Sequence, residues 1–525
     1  MRYLKHFFFI LFLFQLNEVF AVKQLEILHA DRLTMTERGG QKTRLLEGNV
    51  GLKQDDAILY CDKAFFYIDV NRVDAIGNVR VVHNDTTELF ADTVFYFGDR
   101  RKVEARRNVR IVEGNKVLKT HILDYYLDRE VAYYFSGGEF TENTLNLKSE
   151  SGFINMANEQ ATFYKNVILI DEGYTIFADT LKYNTRQSQL VFYRNTRIVT
   201  DQQVIYCDNG FFNTKTDEGV FGRNTRVVSG HQILESDSLH YNADSGEGIS
   251  ERYFVWTDTI EKIIISGHYG IYNRETEQLM ATRKPMMKSV MDNDTLFLTA
   301  DTLFSGIDTS ENRYLIAHRQ SRFFKEDLQG FADSLSFSYE DSIIRMMYNP
   351  VVWQENTQLS GDTILIMMKN NQLDEVELIR NAFLIEYEGD EVYNQIKGRH
   401  IHGYFAEGSL KNMEVTGNAE SVYFGKDDND RYIGVNRVVA AGMSLFFLDN
   451  NIERIHFRQS PEAGFYPIGN SHPSEYHLSG FNWRTEYRPL SKADLLNPIV
   501  LLKEETEQKE KQPAGGGRER TGVRD

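Results

Sequence analysis

Cysteine is nearly absent from this chain. Cys61 and Cys207 are the only two in 525 residues, so no disulfide framework holds the fold. Both precede the same acidic position of a repeat, in copies five periods apart. Rungs so far apart cannot bring two Cα atoms within the roughly 7 Å a disulfide needs, so both are expected as small buried thiols. Proline is equally scarce, at 8 residues, which leaves little to interrupt strands. An excess of positive charge is lacking: the formal net charge of −17 argues against a nucleic-acid backbone as partner. Helical periodicity is missing from residues 25 to 460. Beyond the N-terminus no apolar run is long enough to cross a bilayer as a helix. Phosphate loops, Gly-x-Ser-x-Gly elbows and zinc-binding helix motifs are also absent, so neither cofactor nor metal is expected.

What the chain has instead is aromatic residues, 28 Tyr and 35 Phe, and a repeat. The phrase Ala-Asp-Thr-(Leu/Val)-x-(Tyr/Phe) recurs about every 29 residues, as at Ala91-Asp92-Thr93, Ala178-Asp179-Thr180 and Ala300-Asp301-Thr302. Its acidic position runs through Asp62, Asp92, His121, Glu150, Asp179, Asp208, Asp237, His268, Asp301, Asp333, Asp362, His400 and Gly442, 13 copies in all. Early spacings are 29 or 30 residues and the last ones loosen to 42. A fixed period of this size means one structural unit stacked many times.

A second phrase falls between copies of the first, as Gly48-Asn49-Val50, Gly77-Asn78-Val79, Arg107-Asn108-Val109, Lys165-Asn166-Val167 and Arg380-Asn381-Ala382. Gly and Asn tolerate positive φ, so these are read as strand-to-strand corners. After each corner the residues alternate: Val79 and Val81 around Arg80, Val109 and Ile111 around Arg110, Thr196 and Ile198 around Arg197. That period of two predicts half-buried strands, at least two per repeat, with apolar ladders inside and the Arg ladder Arg80, Arg110, Arg197 and Arg226 outside. The expected architecture is all-β: an elongated stack of antiparallel strands in two facing sheets, a sandwich or open roll.

The ends read differently. Arg2, Lys5 and His6 precede the apolar run Phe7 to Phe14, and Val19-Phe20-Ala21 offers a cleavage site, so residues 1–21 are expected to be a signal peptide. Strict repeats are assigned to 22–250 and looser ones to 251–455. An aromatic C-terminal cap is expected over 456–498 and a charged, disordered tail over 499–525.

The two phrases in alternation resemble the OstA-like (organic solvent tolerance-like) family of lipopolysaccharide-transport proteins, over roughly residues 27 to 450. The resemblance implies a periplasmic β-jellyroll, with outer-membrane association as a further expectation, whose apolar interior takes acyl chains. It also implies a non-enzymatic bridge or carrier in outer-membrane assembly. The implied partners are lipopolysaccharide or a related lipid, other jellyroll transport proteins joined by edge-strand pairing, and an outer-membrane translocon. This chain has more repeats than the usual short bridge protein and no long barrel-forming C-terminal region, so a self-contained bridge is the expectation.

Alternation and resemblance together nominate an inner lipid-binding ladder of Val79, Val81, Val94, Tyr96, Val109, Ile111, Val167, Leu169, Leu181, Tyr183, Ile198 and Phe212. The basic cluster Arg100, Arg101, Lys102, Arg106 and Arg107 is a candidate for polar-head contacts. The repeated Asp is read as a turn residue rather than a catalytic carboxylate, since catalysis needs one or two carboxylates at one locus and not one per rung. His400 and His402 share a strand face, which two histidines alone do not turn into a metal site. Two other classes stay open: a parallel β-helix enzyme acting on polysaccharide, and a secreted assembly scaffold with a dry core and no ligand.

Overall fold

The computed structural model describes residues 24–290, 294–369, 372–406, 409–427, 429, 431–448, 451–459, 461–467 and 472–497. The expected signal peptide and tail lie outside the described residues. Among the described residues, forty strands and six short 3-10 turns make up the regular structure, and the strands pair antiparallel, as in Gln41–Gln54 with Ala57–Tyr67. Among the described residues no helix is long and apolar enough to cross a membrane. The fold is a stacked β-jellyroll, as the family resemblance implied, and it is built from the half-buried strands that the period-two alternation predicts.

Two compact units divide the chain. The first runs to Thr295 and includes Ala300–His318 and Ser336–Ser342; the second comprises Leu296–Thr299, Arg319–Leu335 and the chain from Ile343 onward.

In the first unit the strict repeats build long strands joined by tight hairpins: Gln41–Gln54, Ala57–Tyr67, Arg72–His83, Thr87–Phe97, Lys102–Glu113 and Lys116–Tyr126. The Gly-Asn phrase does not end a strand, as its turn chemistry suggested. It forms a β-bulge in the middle of one. Pairing jumps from Glu47↔Lys63 to Val50↔Cys61, so Gly48 and Asn49 together oppose Asp62. The same two-against-one step sets Gly77-Asn78 opposite Asp92 and Arg107-Asn108 opposite His121. Both bulge residues sit at positive φ, as in Gly77 at 80° and Asn78 at 44°. A bulge bends its strand and sharpens the local twist. Each strand can therefore give one half to each of two facing sheets.

The repeated acid secures that bend. Asn78 Nδ2 donates to Asp62 at 2.8 Å, Asn108 to Asp92 at 2.9 Å, Asn166 to Glu150 at 2.6 Å and Asn224 to Asp208 at 2.6 Å. The acid is a structural clip made with the neighbouring strand rather than with its own backbone. Across the interior the two halves meet through aromatic contacts, Phe140 on Phe163 at 5.6 Å and Tyr174 on Phe212 at 5.5 Å between ring centroids. From Glu218 to Ile307 the strands shorten to 4–6 residues, each half being a strand of its own.

In the second unit the longest strands, Gln372–Gly389, Val392–Ala406, Ser409–Lys426 and Tyr432–Leu448, repeat this plan with bulges at Arg380-Asn381 and Gly417-Asn418. Residues 472–497, part of the 456–498 stretch expected as a cap, run along one face of this unit. Leu384 and Ile396 line its interior. Their neighbours Phe383 and Ile385 point the other way and pack with Leu478 of the segment, flanked by Phe481 and Trp483. Three buried glutamines on successive rungs hold the segment. Gln395 Oε1 accepts from the Leu478 N–H at 2.8 Å. Gln358 donates to the Asn482 carbonyl at 2.7 Å and accepts from the Arg484 N–H at 2.8 Å. Gln329 accepts from Arg488 Nη2 at 2.8 Å.

Candidate functional site

All twelve residues of the nominated inner ladder are buried, from Val94, Leu169 and Leu181 at 0% exposure to Phe212 at 8%. Their outward neighbours Arg80, Arg110, Lys182 and Arg197 are exposed. Arg110 lies over the Phe90 ring at 4.5 Å and Arg197 over Phe177 at 4.3 Å, so the outer ladder is tied down by cation–π contacts. At the N-terminal rungs the interior is closely packed: Ile111 faces Leu89 and Leu118 in register, all three nearly inaccessible.

Ten residues of the ladder precede Ile198. It is at Ile198 and Phe212 that the interior opens. These two line a cleft of about 350 Å³ with Tyr174, Ile205, Phe221 and Tyr241, rimmed by Glu172, Asp201, Asp217, Asp244 and Arg274. The second unit has its own cleft, about 250 Å³, walled by Val376, Leu378, Leu384, Ile396, Ile401 and Met413. Glu386 stands at its polar side, where burial pushes the carboxyl above its ordinary value while Asn394 donates to it at 3.1 Å. The sequence reading passed over these residues because the spacing loosens there, although Val376 and Leu378 before the Arg380-Asn381 bulge carry the same alternation as Val109 and Ile111.

A polar seam closes the edge between the two faces in the first unit, and alternation gave no sign of it. The Tyr96 hydroxyl donates to Gln54 Oε1 at 2.6 Å. Tyr125 bonds His83 Nδ1 at 2.8 Å, Gln203 donates to Tyr241 at 2.7 Å, and Tyr272 bonds Gln232, while the Tyr183 hydroxyl lies beside the Glu142 carboxyl. Burial pushes the hydroxyls of Tyr96, Tyr125, Tyr183 and Tyr241 above the ordinary tyrosine value, so they stay protonated. Buried polar groups left unpaired would be costly, and the hydrogen-bonded pairs at Tyr96, Tyr125, Tyr241 and Tyr272 satisfy one group from either face.

The basic cluster is largely spoken for within the chain. Arg101 pairs with Asp55, Asp56 and Asp128; Lys102 and Arg106 both pair with Glu104 and Asp124. Arg100 and Arg107 are exposed. His402 lies between Glu375 at 2.7 Å and the Tyr404 hydroxyl at 3.0 Å. Cys61 and Cys207 are buried free thiols, and burial pushes both up to about 12.

Comparison with known proteins agrees with this geometry. The family described as OstA-like protein matches residues 22–179 and 165–237, the stretch where the Asp–Asn clips and long bulged strands recur. No curated protein matches the chain. Residues 22–237 of this chain are thus similar to the OstA-like family.

Proposed function

We propose that this protein is a non-enzymatic periplasmic lipid carrier or bridge in lipopolysaccharide transport and outer-membrane assembly. Acyl chains lie between the two β-faces and the polar part of the lipid sits at the open edge. The observation that carries this reading is the apolar interior ladder opening into a cleft in each unit. Apolar surface moved out of water supplies the attraction, about 25 cal/mol per Å². The repeated acids support a non-enzymatic role because they clip bulges instead of converging on one locus. Directional transfer then depends on partners: other jellyrolls that add their strands to its edges, and an outer-membrane translocon.

The test is mass spectrometry of lipid extracted from the protein purified out of its native envelope. Stoichiometric lipopolysaccharide or a related acylated lipid supports the reading. Bound glycan without lipid favours an enzyme or lectin-like role, and an empty protein favours a scaffold.

A further inference from the structure

The seam of the first unit has a defined gap, and the cleft lies at that gap. Tyrosines at equivalent rung positions, Tyr96, Tyr125, Tyr183, Tyr241 and Tyr272, each reach a polar partner on the facing sheet. At the rung between Tyr183 and Tyr241 that position is Phe212, which has no hydroxyl to give. The residue that would have received it, Asp171, turns instead to its own hairpin and to the adjacent one. It accepts from Thr144 at 2.6 Å, from the Glu172 N–H at 2.9 Å and from Tyr174 at 3.2 Å. Ile154 interrupts the seam on another rung, but there buried Met156 contacts Thr87 across the edge. At Phe212 the space stays open and reaches the interior past Ile198 and Ile205.

The rim of this opening has a sign. Glu172, Asp201, Asp217 and Asp244 bring four carboxylates to it against one cation, Arg274. Arg274 is itself engaged by Glu275 and donates to Tyr241 at 3.0 Å. A phosphate group brought to this rim meets net like charge, whereas a hydroxyl or an ammonium does not.

We propose that the gap at Phe212 is a lateral port for a single unbranched acyl or alkyl chain whose polar end is neutral or cationic. It is distinct from any groove that holds a phosphorylated headgroup. The chain enters between Asp171 and the Gln203–Tyr241 pair and lies against Ile198, Ile205, Phe212 and Phe221. The cleft is within the size range of small-ligand sites, roughly 300–1,000 Å³. The proposal rests on the reading of the interior as an acyl-chain groove.

Its test uses the full chain, stripped of lipid, and three photoreactive straight-chain probes of equal length ending in trimethylammonium, hydroxyl or phosphate. After irradiation the labelled peptides are mapped by mass spectrometry. The ammonium and hydroxyl probes are expected to label residues 198–221. The phosphate probe should label them about tenfold less, the ratio that about 1.4 kcal/mol of charge repulsion produces. Ile205→Trp, which fills the cleft, should abolish that labelling. Asp201→Lys with Asp244→Lys, both at exposed positions, should raise the phosphate probe to the level of the hydroxyl probe without touching the core. Equal labelling by phosphate in the unaltered protein overturns the charge selection. Labelling confined to other rungs, such as those of Val94 and Ile111, overturns the port while leaving the lipid groove intact. No labelling anywhere overturns both.

Discussion

Adding one methyl group at Gly77 tests how the repeat bends its strands. Gly77 sits at φ 80°, and a Cβ built there comes 2.5 Å from Asp62 Oδ2. Asp62 is also the acceptor for Asn78 at 2.8 Å. Gly77→Ala therefore acts twice: it places an L side chain in the left-handed region, and it drives Asp62 off its clip. The first effect costs about 1–2 kcal/mol and the second about 0.5–1.5, so the sum is roughly 2–3 kcal/mol. Two companions separate the terms. Asn78→Gly keeps the backbone and loses the bond, for a loss of about 1 kcal/mol. Arg107→Gly, at φ 65° on an exposed bulge, relieves the backbone and should stabilise by about 0.5–1 kcal/mol. Urea unfolding measures the differences. Hydrogen exchange over Ala57–Tyr67 and Arg72–His83 locates them, because rungs couple to their nearest neighbours. If Gly77→Ala is no less stable than Asn78→Gly, or Arg107→Gly destabilises, the clip account of the repeat is wrong.

Three further outcomes are expected. Ile111→Asp buries a carboxylate among Leu89 and Leu118 and should cost roughly 4 kcal/mol in thermal unfolding, whereas Arg110→Asp on the exposed face should stay within about 1 kcal/mol. Burial pushes His83 below its ordinary value of 6.5 despite the nearby Asp56 carboxylate. The unfolded chain therefore binds the proton more readily, and the contribution of neutral His83 is present above 6.5 and lost as pH falls below it. The melting temperature of His83→Gln should accordingly fall less than that of the unaltered protein on acidification. Gln358→Leu leaves the Asn482 carbonyl and the Arg484 N–H without their partner, a loss of about 2 kcal/mol. It should speed hydrogen exchange in 472–497 before any change elsewhere.

Much of the fold was legible because it is local. Val79, Arg80 and Val81 declare their faces by a period of two, and every rung repeats the statement. The Asp and Asn phrases were visible too, but not their geometry. Whether Gly77-Asn78 ends a strand or bulges within it depends on two residues opposing one across the ladder, which is a property of register and not of composition. The Tyr–Gln seam joins residues about forty positions apart, such as Gln54 and Tyr96, and appears only once the rungs that face each other are known. The same holds for Arg101, whose aspartates come from hairpins at 55–56 and 128. The C-terminal segment was least legible. Its partners Gln329, Gln358 and Gln395 lie 83 to 159 residues away, and nothing in its own sequence points to them.

The central claim, that this stack holds acyl chains between its faces, is tested most directly at two adjacent residues. Ile205 points into the cleft at 3% exposure, and Tyr206 points out of it at 41%. A photo-crosslinking amino acid placed at each position in the native cell, followed by mass spectrometry of the captured species, compares inside with outside across one peptide bond. The expected result is an acylated lipid captured at 205 and none at 206. Equal capture at both positions, or none at either, contradicts the claim and leaves a β-repeat scaffold with a dry core.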